Sequence, residues 1–476
     1  MIGSTTRQSS LFYVPLARQA VLLKDDLLDP IDALLDDPEL ISLVRHSLAS
    51  RSPLSPRTGR PGIAPDRLLR CCALKHLKGW SLRELERELR SNLIYRRFTR
   101  FDADPTPNYS TFSRCFALLG EDGTQRIHDR VVAKARQEQV ARGRKVRSDT
   151  SVVETNIHYP TDSALLGDSV RVLTRSLRRI AEHCAAGALP VVNHALAVKR
   201  RLLEINRAAK SLTQASQQRL KDSYGRLLKL TRGVLEQARA AMEDLQAGRL
   251  PVVGSLISVL GQEAQLRHFI PLVEKGIAQT QERVFQGNPH VAGKVLSLFE
   301  PHTQAIRKGK AHKPTEFGRL VRLDEVENGI VSGYEVLEGN PADTNAWRPA
   351  LEQHQRRFGR PPRMATADRG YFSAANEREA KVFGVERVAL PARGRLSKAR
   401  AQLQKERWFQ RALRWRAGIE ARISTLKHPF SMQRATYKGE KGFKRYVGWC
   451  VITQNLVSMA RTLVRRKARA DERKAG

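Results

Sequence analysis

Apolar positions in the first 143 residues recur at helical spacing. Between Asp66 and Leu77 they fall at Leu68, Leu69, Cys72 and Ala73, one face of a helix. Gly79 breaks that run, and Ser81 followed by Glu84 is a capping box that opens a second helix, Leu82–Leu89. An aromatic and basic third segment follows over Asn92–Phe101. Helix, glycine-containing turn and capped helix form a helix-turn-helix-like pattern suited to DNA contact, though any small helical bundle has short turns. Upstream, Asp25–Leu48 alternates acidic and apolar clumps, with Pro30 placed to start a helix. A Pro/Gly/Arg-rich break, Arg51–Pro65, separates the two stretches.

The pattern changes at residues 144–159. Val146, Val152, Val153 and Ile157, interleaved with Thr150 and Thr155, predict a strand. Helical periodicity then returns from Ala164 to Phe299, broken at Gly187/Pro190, Gly248/Pro251 and Asn288-Pro289. Within it, Val192–Leu245 reads as an antiparallel helical hairpin or coiled coil. Strand signals resume at Phe317–Val326 and Ile330–Leu337, joined by the hairpin-turn pair Asn328-Gly329. A strand at Arg363–Ala367, a helix at Ser373–Phe383, a strand at Arg387–Leu390 and helices at Gln402–Leu426 and Gly442–Val464 complete the pattern.

This order predicts an α/β domain, residues 144–163 and 301–464, interrupted by an all-α insertion over residues 164–300. An all-α N-terminal domain, residues 1–143, precedes it, and a frayed basic tail, residues 465–476, follows. An insertion of that length implies an added functional surface.

Charge narrows the partners. The 476-residue chain carries a formal net charge of +36 with a pI near 10.7, spread along its length. A polyanion is the expected partner, and nucleic acid fits better than a membrane. The longest apolar run, Leu250–Leu260, is too short to span a bilayer and is broken by Pro251 and Gly254. No N-terminal stretch has the order of a signal peptide. The cysteines, Cys71, Cys72, Cys115, Cys184 and Cys450, form no C-x-x-C pair, so they read as free thiols in a reducing cytoplasm.

Candidate chemistry lies in three acids. Between Arg407 and Lys438 a single carboxylate, Glu420, stands among eight bases. On a helix Arg416, Glu420 and Lys427 share one face. Asp149 lies inside the first strand. Asp368 ends a later one, where sites form in open α/β sheets. Carboxylate oxygens suit Mg²⁺ or Mn²⁺. Two such ions about 3.5–4 Å apart can activate a water or a DNA 3′-OH for in-line phosphoryl transfer. Taken singly, each acid also reads as a turn, edge or salt-bridge residue.

Several motifs give the set a context. Asp149-Thr-Ser-Val-Val-Glu154 through Asp162, Lys308-Gly-Lys310-Ala-His312-Lys313-Pro, Asp368-Arg-Gly370-Tyr371-Phe-Ser, Arg416-x3-Glu420-x6-Lys427 and Gly442-Phe-Lys-Arg-Tyr446-Val occur in that order. Together they resemble bacterial insertion-sequence transposases of the DDE class, most closely the ISNCY type. The stretch from Gly59 to Leu93 is similar to an N-terminal domain found in many of these transposases. The resemblance implies an RNase H-like catalytic domain whose Asp149, Asp368 and Glu420 bind metal, two Mg²⁺ or Mn²⁺ ions per site. Their separations are 219 and 52 residues, the first holding the insertion. Related signatures place a Tyr three residues before the Arg, and here that position is Leu413.

DNA contacts are expected from Arg416, Lys427, Arg422, Lys308, Lys310 and Lys313 near the site, and from Arg83 and Arg87 in the N-terminal domain. Gly370 and Tyr371 are expected to shape the site. The activity implied is cleavage at terminal inverted repeats and joining to target DNA, by a homodimer or larger assembly on DNA at the bacterial nucleoid. Two rivals remain at this point. A non-catalytic DNA-binding protein would share the charge, and an RNA-cleaving enzyme would share the core.

Overall fold

The computed structural model describes Gly3 and residues 23–51, 62–307 and 313–475. The chain forms two compact units: Met1–Thr155 with Ile306–Gly476, and Asn156–Ala305.

The first unit opens with helices α1 (Leu28–Leu35), α2 (Pro38–Ala49), α3 (Pro65–Lys78), α4 (Leu82–Ser91), α5 (Leu93–Thr99), α6 (Tyr109–Leu118) and α7 (Gly120–Gln137). The capping box forms as its residues dictate. Ser81 Oγ accepts from the Glu84 amide at 3.2 Å, and Glu84 accepts from the Ser81 amide at 2.7 Å.

These helices pack against the rest of the first unit. Lys75 and His76 on α3 pack on the C-terminal helix α16 (Gly439–Ala475) and the turn before it. His76 Nε2 lies 3.0 Å from the Tyr437 hydroxyl, and the Lys75 ammonium stands 4.9 Å from the Tyr437 ring. One continuous apolar core includes Leu69, Leu85, Phe112, Val447 and Ile452.

The sheet runs β2 (Gln304–Ile306), β3 (Glu316–Glu325), β1 (Lys145–Thr155), β5 (Met364–Ala367), β6 (Arg387–Ala389). Outside this path, β4 (Val331–Val336) pairs antiparallel with β3, and the short β7 (Arg434–Ala435) pairs parallel with β1. β1 is antiparallel to β3 and parallel to β5. At the β3–β4 turn Asn328 and Gly329 take φ of 55° and 75°, the left-handed pair that a tight turn requires. Glu327 beside them accepts the amides of Arg142, Gly143, Arg144 and Lys145 at 3.1, 3.0, 2.8 and 3.2 Å. One carboxylate thereby fixes the chain as it enters β1.

Helix α12 (Trp347–Phe358) and α13 (Ala374–Val382) connect the later strands. The helix expected over Gln402–Leu426 is two: α14 (Lys398–Lys405) and α15 (Arg407–Lys427), separated at an extended Glu406. α15 buries Phe409, Ala412, Ile419 and Leu426, whereas α14 has no fully buried residue and is held by Arg400, which pairs with Glu377. The tail expected to fray continues α16 to Ala475. Its helix grows from the buried stretch Phe443–Ala460, and Arg466 donates to the carbonyls of Glu138 and Gln139, each at 2.9 Å.

The second unit is helical: α8 (Asp162–Ala181), α9 (Ala195–Ala208), α10 (Gln214–Gln246) and α11 (Leu256–Phe285). It has its own core, including Leu166, Leu173, Leu227, Leu266 and Val273. Asp162 at the start of α8 accepts from Gln279 at 3.0 Å and pairs with Arg283, both on α11. The breaks read from Gly187/Pro190, Gly248/Pro251 and Asn288-Pro289 lie between or after its helices. Among the described residues no helix is long and apolar enough to cross a membrane.

Burial gives the first unit an acid-sensitive element. His354 is 2% exposed, with Nε2 3.1 Å from the Gly143 carbonyl, and desolvation pulls its pKa down to about 4. The unfolded chain has the ordinary value near 6.5, so protons bind the unfolded state first. The stabilisation is present above pH ~6.5 and is lost as pH falls through about 4, a swing on the order of 3 kcal/mol. In urea unfolding between pH 7.5 and 4, His354→Asn is expected to flatten the loss seen in the wild type. A variant whose pH slope matches wild type would exclude this residue as a source.

Candidate acidic site at the end of β5

β1 is longer than β5, and the site follows from that mismatch. The parallel register pairs Lys145 with Met364 and ends at Ser148 with Ala367. Carried one residue further, it sets Asp149 beside Asp368, where strands lie about 4.8 Å apart. Further along the same edge, β1 pairs instead with β7, at Glu154–Arg434 and Thr155–Ala435. The departure of β5 thus opens a notch flanked by the two acids, beyond a strand end.

Alternation puts Asp149 on the face of Arg147, toward α15. The Arg147 guanidinium donates to the Trp415 carbonyl on α15 and to both oxygens of Glu325, at 2.9 and 2.7 Å. Both acids are half-buried. Asp149 Oδ1 accepts from the Thr150 amide at 2.7 Å, and Asp368 Oδ1 from the Gly370 amide at 2.8 Å. The second contact makes Asp368 the cap of a short turn, Arg369–Tyr371, which carries the expected Gly370 and Tyr371 beside it. Tyr371 is fully buried, its ring edge-on to Trp347.

Glu420 sits on α15, two residues past Gly418, which packs against Arg147. Its side chain is 70% exposed, and its Oε1 lies 3.5 Å from Arg416. The structure therefore brings Asp149 and Asp368 together and leaves Glu420 at the solvent edge of a helix on the same face. Among the described residues no group of three or more His, Cys, Asp or Glu is arranged to hold a metal ion.

The expected cations divide. Arg416 is used by Glu420. Arg422 is 23% exposed, and its Nε lies 3.4 Å from buried Glu325. Lys427 ends α15 and shares a cleft with Trp80, Ser81, Glu154, His428 and Arg434. Lys313 pairs with Glu154, which also takes Arg434 at 2.8 Å. Burial pushes Glu154 up, but these two cations outweigh it and hold its carboxyl below the usual range. Arg83 and Arg87 are exposed on α4; Arg83 stacks on Tyr109 and Arg87 pairs with Glu88. Lys308 and Lys310 lie outside the described residues.

Three residues at the site escaped the sequence reading: Asp343, Glu325 and Arg147. Asp343 follows Asn340-Pro341-Ala342, a turn signal that marked its place but not its partner. It accepts the Thr150 hydroxyl at 2.8 Å.

Two family models match the chain. A transposase domain (DUF772) covers residues 16–118, and a transposase DDE domain covers residues 296–456. Both are transposase domains and together span more than half of the residues, so the chain is a transposase. The second match places it among the insertion-sequence DDE transposases, enzymes of DNA transposition that use divalent metal ions. No curated protein and no solved structure matches it.

The donor set at the notch fits such an ion. Asp149 and Asp368 present hard oxygen ligands side by side.

Proposed function

We propose that this transposase, of the ISNCY type, binds the terminal inverted repeats of its element and performs cleavage and strand transfer at Asp149, Asp368 and Glu420. The observation that carries the reading is the register that sets Asp149 beside Asp368 at a strand end. The antiparallel β4-β3-β1 block followed by parallel β5 and β6 supports an RNase H-like core. Asp149 and Asp368 would hold Mg²⁺ or Mn²⁺, with Glu420 reaching in from α15 to complete a site for two ions. When bound, such ions activate the attacking oxygen and stabilise the leaving one.

The chain's own residues do the rest. Lys427 and Arg434 share their cleft with Trp80 and Ser81 at the start of α4, so one cleft joins the helix-turn-helix-like element to α15. Phosphates laid along it would be fixed in register by these cations and by Arg416. Water attack on the scissile phosphodiester releases a 3′-OH, and that hydroxyl attacks target DNA in a second displacement. Neither step forms a protein–DNA bond, so no tyrosine or serine nucleophile is required. Holding two ends at once calls for a dimer or larger assembly on DNA. Insertion-sequence DDE transposases act in the bacterial cell, and a chain this basic is expected at the nucleoid.

The test compares a duplex bearing the element's own ends with a structured RNA at matched salt. Mg²⁺-dependent nicking confined to the DNA ends is expected. Binding without nicking would leave a DNA-binding protein, and cleavage of the RNA instead would move the activity to RNA.

A further inference from the structure

Asp343 stands where the two acids of the notch are held. It follows β4 and begins the short turn Asp343–Ala346 that leads into α12. From there its two oxygens reach two strands. Oδ1 accepts the hydroxyl of Thr150, the residue after Asp149 on β1, at 2.8 Å. Oδ2 lies 2.6 Å from where a Cβ on Gly370 would stand, and Asp368 Oδ1 lies 3.0 Å from the same point. Gly370 has ordinary negative φ, so it is a glycine because this carboxylate occupies the space. Thr150 points to the sheet face opposite Asp149. Asp343 therefore braces the notch from behind, one oxygen on the strand of Asp149 and the other on the turn of Asp368.

A further carboxylate beside that of Asp368 raises the repulsion between them. Beside it the Tyr371 hydroxyl is fully buried and has no hydrogen-bond partner, and the charges acting on it are those of Asp324, Asp149, Asp343 and Arg322.

We propose that Asp343 is a positioning residue, which fixes the separation of Asp149 and Asp368 through Thr150 and the Gly370 turn and so tunes their affinity for a divalent cation. The proposal rests on the reading that Asp149 and Asp368 bind that cation. Groups that orient metal ligands from behind are commonly worth about 10–100-fold in affinity.

The test uses the full-length chain, with Mg²⁺ and Mn²⁺ binding followed by calorimetry without DNA, and cleavage followed against Mg²⁺ concentration. Asp343→Ala is expected to weaken cation binding about 10-fold and to shift the Mg²⁺ midpoint equally, with end binding unchanged. Asp343→Asn keeps an acceptor for the Thr150 hydroxyl and is expected to recover most of that loss. Thr150→Val removes the same bond from the other side, so the double variant should be no worse than Asp343→Ala alone. Gly370→Ala should mimic Asp343→Ala by displacing the carboxylate. Circular dichroism of each variant separates misfolding from mispositioning. Wild-type cation binding in Asp343→Ala, or losses from Asp343→Ala and Thr150→Val that add in full, would overturn the proposal. If Asp149→Asn and Asp368→Asn abolish cleavage while Asp343→Ala is silent, only the role of Asp343 falls. If those two variants still cleave, the reading of the site itself falls.

Discussion

Asn at position 149 or 368 is expected to reduce single-turnover cleavage of the element's ends by on the order of 10³-fold. The size follows from what a carboxylate ligand contributes: several kcal/mol of transition-state charge stabilisation goes with it, and each 1.36 kcal/mol is tenfold in rate. Asn is close to isosteric. It keeps an acceptor for the Thr150 amide at position 149 and for the Gly370 amide at position 368, so the notch keeps its shape. Removing a negative charge from so basic a chain should not weaken DNA binding, and the salt dependence of binding should stay at the wild-type slope. Cleavage and fluorescence anisotropy on one DNA duplex would therefore separate. Wild-type cleavage by either variant would remove that residue from the chemistry. Glu420→Gln reads the third position by itself. Its carboxylate is exposed and partnered by Arg416, so a wild-type rate there would confine the site to the β1–β5 pair.

What the sequence disclosed was local. The capping box at Ser81 and Glu84, the turn at Asn328-Gly329 and the strand ending at Asp368 each depend on residues within a few positions of one another. Asp149 could be singled out inside a strand and Asp368 at the end of one, because strands announce themselves in the alternation of apolar and polar residues. The groups that organise them could not. Asp343 meets Thr150 across 193 positions, and Arg422 meets Glu325 across 97. In a basic run, a cation turned inward looks the same as one turned toward DNA. Likewise nothing in Lys75 or His76 names Tyr437 as the surface they cover. The C-terminal tail is a related case: its charge pattern says frayed, but its exposed helix is anchored by a buried stretch before it and by carbonyls at Glu138 and Gln139.

Loss of Glu325 should be the most damaging single change to stability. Its side chain is 1% exposed and accepts both arms of Arg147, itself 9% exposed, with Arg422 adding a third contact at 3.4 Å. Glu325→Ala would strand the Arg147 charge inside the protein, a change that costs about 3–5 kcal/mol because no water replaces the lost partner. Chemical unfolding should show this loss, against the fraction of a kcal/mol expected for an exposed pair such as Arg87–Glu88. The double variant Arg147→Met with Glu325→Met removes both charges and should recover much of the stability, since apolar groups of similar size often replace a buried pair at little cost. Activity should not recover with it. Arg147 also holds the Trp415 carbonyl, and Arg422 needs Glu325, so without the pair α15 loses the polar contacts that seat it on β1 and β3. Glu420, Arg416 and Lys427 ride on that helix. A double variant that folds well but cleaves poorly would show that the buried pair is retained for the position of α15. Equal recovery of stability and cleavage would show that apolar packing alone seats the helix.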